Sequence, residues 1–108
     1  MPFSFEIAYD EHQLGSDLPE AASIRRWCAV VNQMLAPGDP LVELNTIDGR
    51  LLVRIRFRCL LAAIIAATGQ LKSGDILARV YADGEEIPEI YRYCTVERFP
   101  SESGSPAA

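Results

Sequence analysis

The chain reads as an α+β domain, a ferredoxin-like or related two-layer sandwich in the order β-α-β-β-α-β plus a C-terminal strand, with both helices on one sheet face. Three observations predict it. Phe3, Phe5, Ile7 and Tyr9 alternate with Ser4, Glu6, Ala8 and Asp10 at the strand period of two. Ile24, Trp27, Cys28, Val31 and Leu35 recur at helical spacing. Between Leu41 and Arg58, an Asp48-Gly49 pair separates two runs of alternating apolar residues, which is the signal of a β-hairpin.

The first strand covers Phe3 to Tyr9, and Glu11 to Ser16 is a polar loop. Asp17 with Glu20 three residues on resembles a capping box, and Pro19 suits the first helical turn, where its missing N–H is not needed. The first helix then runs to Leu35, with Trp27 as a core anchor and Pro37-Gly38 as its end. In the hairpin a type I′ turn at Asp48-Gly49 sets Ile47 opposite Arg50. One face then carries Val42, Leu44, Leu51, Val53, Ile55 and Phe57, and the other Glu43, Asn45, Arg50, Arg54, Arg56 and Arg58.

The alanine-rich run from Cys59 to Thr68 predicts a short buried helix closed by Gly69. Arg50, Arg54 and Arg58 also fall at i, i+4 and i+8, so a single helix from Arg50 to Thr68 is the alternative. Lys72 to Asp75 reads as a turn, Ile76 to Ala82 as a strand and Asp83-Gly84 as a second tight turn. Glu85 to Phe99 fits an irregular strand with Pro88 at an edge or bulge, or a short helix through Ile87, Ile90, Tyr91 and Cys94. A single domain therefore spans 1–99, and 100–108, rich in Ser, Gly, Pro and Ala, forms a mobile tail.

With 108 residues, 49% apolar and 23% charged, the chain has enough apolar surface for one soluble core. Its net charge of −5 argues against generic nucleic-acid or anionic-membrane binding. Nine of the ten basic residues are arginine, and Lys72 is the exception. No basic segment followed by an apolar run opens the chain, and Cys59 to Ala67 is too short to span a bilayer, so a cytoplasmic location is expected. Cys28, Cys59 and Cys94 have no close spacing and read as free core thiols rather than disulfides or a zinc knuckle.

No catalytic constellation is expected. His12 is the only histidine, no glycine-rich phosphate loop or nucleophile elbow appears, and neither metal nor cofactor is called for. The acids at Asp83, Glu85, Glu86 and Glu89 read as a solvated turn or, with Tyr91, as part of a docking surface. Arg54, Arg56 and Arg58 form a row fit to grip carboxylates or phosphates, unless Glu43, set opposite Arg54, ties part of it into a surface ion-pair ladder. Acids near the amino terminus and at 83–89 against arginines at 50–58 make a bipolar layout suited to docking on another protein or on a second copy of the chain.

The functional expectation is a non-enzymatic protein-interaction module. Its most specific form is an inhibitor of a larger protein or nucleic-acid-binding complex, in the style of immunity, anti-restriction or anti-CRISPR proteins. The alternative is an RNA- or small-ligand-binding regulator using the Arg54, Arg56 and Arg58 face, which has few aromatics on which bases would stack.

Overall fold

The computed structural model describes residues 2–15, 18–83 and 92–100, and most of these are in strands. In chain order the elements are β1 (Pro2–Ala8), α1 (Glu11–Leu14), β2 (Ala21–Trp27), β3 (Met34–Leu35), β4 (Pro40–Thr46), β5 (Gly49–Ile55), β6 (Cys59–Ile64), β7 (Gln70–Lys72), β8 (Ile76–Asp83) and β9 (Cys94–Pro100). They make two antiparallel sheets, ordered β1-β8-β6-β3 and β7-β2-β4-β5-β9. Ile7, Leu35, Leu61, Ala78 and Val80 of the first sheet meet Val42, Leu44, Leu51, Val53 and Ile55 of the second in one buried core. Trp27 ties the layers together, its indole Nε1 donating to the Ala66 carbonyl at 2.9 Å.

This β-sandwich overturns the α+β, ferredoxin-like expectation. The face that helices were expected to cover is covered by a second sheet. Instead of a helix, the segment up to Leu35 holds β2, a loop and β3, and a β-bulge in β2 accounts for the first step of the helix-like spacing. Ile24 pairs with Leu44 and Arg26 with Glu43, so Arg25 is an extra residue in the ladder. The bulge leaves the inward residues Ile24 and Trp27 three apart, a spacing that imitates a helix.

The run from Cys59 onward repeats this pattern. Leu61 pairs with Val80 and Ala63 with Arg79, so Ala62 is the inserted residue. The core-facing positions Cys59, Leu61 and Ile64 are then spaced by two and by three. Alanine favours a helix intrinsically, but pairing with β8 and burial against the opposite sheet decide the outcome. The single-helix alternative for Arg50 to Thr68 is likewise replaced by β5 and β6.

The β4–β5 hairpin is present with a corrected turn. Asn45, not Ile47, faces Arg50, and Thr46 pairs with Gly49, so the connecting residues are Ile47 and Asp48. Gly49 carries the positive φ, 137°, and neither connecting residue does. Thr46 Oγ1 accepts from the Asp48 N–H at 3.2 Å and donates to the Gly49 carbonyl at 3.0 Å, which favours this placement. The register is displaced by two residues, an even number, so no side chain changes face. Val42, Leu44, Leu51, Val53, Ile55 and Phe57 are all buried, and the arginines lie opposite them.

Strands are found at 2–8 and 76–83, close to their expected positions, and of the span Glu85 to Phe99, read as an irregular strand or a short helix, the part from Cys94 onward is strand, in β9 (Cys94–Pro100). The expected polar loop after the first strand contains α1, capped by the Asp10 carboxylate, which accepts from the His12 N–H at 2.8 Å. Residues 1, 16–17, 84–91 and 101–108 lie outside the described residues. The Asp17 cap, the Asp83-Gly84 turn, the Pro88 region and most of the expected tail therefore lie there too.

Candidate functional site: an arginine-lined groove

The outward face of the five-stranded sheet is organised in cross-strand rows. Arg26, Glu43, Leu52 and Glu97 lie side by side across β2, β4, β5 and β9. In the row on one side Asn45, Arg50 and Phe99 are neighbours, and in the row on the other Pro40, Arg54 and Thr95 are. The bulge in β2 sets two successive arginines against one glutamate. Arg25 Nε lies 3.3 Å from Glu43 Oε1, and Arg26 Nε donates to Oε2 at 2.8 Å. From β5, Arg50 Nη1 reaches Oε1 at 3.2 Å.

Glu43 is only 7% exposed although it points away from the core. The Arg26 hydrogen bond holds its carboxyl below the ordinary carboxylate range; burial opposes this, and the charges of Arg26, Arg25 and Arg50 reinforce it. The surrounding guanidinium groups therefore favour its ionised form. One negative charge meets three positive ones.

Arg50 also lies over the Phe99 ring, 5.8 Å from its centroid. Arg54 donates through Nε and Nη2 to Glu97 Oε1 at 3.3 and 3.1 Å, and through Nη1 to the Gly38 carbonyl at 2.9 Å. Between these groups lies an open hollow of about 350 Å³, with Arg26, Arg50 and Arg54 at its rim and Leu52, Pro40 and Phe99 as apolar lining. A second hollow of about 300 Å³ shares Arg50 and Phe99 with it and continues beside the hairpin turn.

The groove thus sets three guanidinium groups beside a partly apolar floor. Burial pushes the Cys28 thiol beside the groove up, that of Cys59 up to about 12, and that of Cys94 up as well, so none is a ready thiolate at neutral pH. Among the described residues, no group of three or more His, Cys, Asp or Glu is placed to hold a metal ion, and no helix is long and apolar enough to cross a membrane.

Of the expected arginine row, only Arg54 lines the groove. Arg56 lies past the end of β5 with Nη1 donating to the Arg92 carbonyl at 3.1 Å, and Arg58 is exposed further along. The expected Glu43–Arg54 pair does not form, since the corrected register brings Leu52 opposite Glu43 and leaves Arg54 to Glu97. Asp83 ends β8 opposite Pro2. Glu85, Glu86, Glu89 and Tyr91 lie outside the described residues. Arg25, Arg26 and Phe99 went unrecognised as site residues because the first two were assigned to a helix. The adjacent arginines inside an otherwise alternating run were the available signal.

No protein-family model matches this chain, and neither a characterised protein nor a solved structure shows significant similarity to it.

Proposed function

We propose that this protein is a non-enzymatic recognition module that docks on another protein by holding an acidic segment of it in the groove of the five-stranded sheet. The observation that carries the reading is the excess of guanidinium over carboxylate around Glu43. Three arginines share one buried anion, and the bonds from Arg26 and Arg50 to Glu43 run through Nε and Nη1, a fraction of the five donors each guanidinium has. The apolar floor adds desolvated contact, which strengthens charge-assisted hydrogen bonds formed above it. Inhibition of that partner is the most specific form of this reading.

Labelled poly-L-glutamate tests it. The protein should bind the polymer at low salt and release it as salt rises. The double variant R26A/R54A should bind at least tenfold more weakly with an unchanged circular dichroism spectrum, because Arg25 and Arg50 still neutralise Glu43. Equal binding by the variant overturns the reading. RNA is favoured by one observation, the Phe99 ring beside Arg50, where sheets that read RNA stack two or three bases. Capture of poly-uridylate in preference to poly-glutamate would put RNA in place of the acidic protein segment.

A further inference from the structure

We infer that the groove reads an extended segment with the pattern acidic-x-apolar-x-acidic. The inference rests on the reading of the groove as a site for an acidic partner, and it names the spacing that site selects. Along β5 the outward residues are Arg50, Leu52 and Arg54, in the order cation, apolar, cation. Same-face residues on a strand repeat about every 7 Å. An extended peptide has the same repeat, so carboxylates at its first and fifth positions fall on Arg50 and Arg54 while the third side chain falls on Leu52.

The row through Leu52 sharpens this selection. Its cross-strand neighbours are Glu43 and Glu97, both already engaged by arginines. A carboxylate brought to the middle position would meet two like charges, and a lysine would have to compete with the arginines for them. An apolar side chain there covers Leu52 and meets neither penalty. Arg26, in the same row as Leu52 and with a 71% exposed side chain, extends the cationic rim on the β2 side.

The test is fluorescence anisotropy with the full chain at low salt and two labelled peptides of one composition, GDSLSDG and GDDLSSG. The first should bind at least fivefold more tightly than the second. R54Q should weaken GDSLSDG more than GDDLSSG and so remove most of that preference, whereas L52S, which takes away the contact both leucines make, should weaken the two peptides by a similar factor. Equal binding of the two peptides, or binding of poly-L-glutamate with neither peptide, overturns the spacing inference and leaves the acidic-partner reading standing. Failure to bind poly-L-glutamate as well overturns both.

Discussion

Glu43 occupies an outward strand position yet is nearly as buried as the core, because the guanidiniums of Arg25, Arg26 and Arg50 close over it. A carboxyl whose folded-state pKa is depressed contributes stability above the unfolded value, about 4.3 for glutamate, and loses it as pH falls through the folded value. At pH 7, E43Q should therefore cost about 1.5 to 3 kcal/mol in urea denaturation, the range for hydrogen bonds to a charged group. The gap between wild type and variant should shrink as pH falls below the ordinary carboxylate range. A gap constant from pH 7 down to 2.5 would place the stabilisation outside the ion cluster. Across the hairpin register, Phe57 and Arg56 give a sharper contrast. Phe57 is 1% exposed and packs on Phe5 and Tyr93 at centroid distances of 6.5 and 5.8 Å, whereas the Arg56 side chain stays in contact with water. F57A should cost about 3 to 5 kcal/mol through lost burial and a cavity, and R56A less than about 0.5 kcal/mol, both read from urea midpoints.

Bulges decide both what the elements are and where the arginines point. Because Arg25 is the inserted residue, its deletion should leave Ile24 and Trp27 two apart and both inward, restoring a regular ladder with β4. Deletion of Leu52, in the unbulged pairing of β5 with β9, should turn one side of that strand inside out. The Arg25 deletion should melt cooperatively with a strand-type circular dichroism spectrum, and the Leu52 deletion should not fold. Two unfolded proteins would remove the bulge as the explanation of the helical spacing. The same device marks what was legible in the sequence. Strands with unbroken alternation, from Phe3 and from Val53, could be read directly, and so could the two faces of the hairpin, since an even register displacement leaves faces unchanged. The segments around Ile24 and Leu61 could not, because one inserted residue converts a period of two into the i, i+3 spacing of a helix. The groove was half legible for that reason. Glu43, Arg50 and Arg54 lie on the hairpin face read from sequence, whereas Arg25 and Arg26 sit on a bulge and Phe99 arrives from a strand distant in sequence.

Among the described strands, only β4 and β5 follow one another within a sheet. Every other connection passes from one sheet to the other, so β1 pairs with β8, β2 with β7 and β5 with β9 across long stretches of chain. Local sequence signals therefore cannot reveal the partner of most strands, and the ferredoxin-like order was inferred from neighbours in sequence that are not neighbours in space. The same topology governs folding. Loop-closure entropy must be lost before such pairings return any energy, which slows chains rich in non-local contacts. The β4–β5 hairpin is the one pairing that can form early at small entropic cost, and β2 and β9 then add on its two sides. Stopped-flow refolding from urea, followed by Trp27 fluorescence, should be a process of milliseconds to seconds, as for other β-sandwiches, and not of microseconds. V53A lies in the early hairpin and should mainly slow folding, whereas V80A, in a strand paired only with distant segments, should mainly speed unfolding. Reversal of that partition would mean that the four-stranded sheet forms first, and the five-stranded sheet with its arginine groove would then assemble on an existing partner layer.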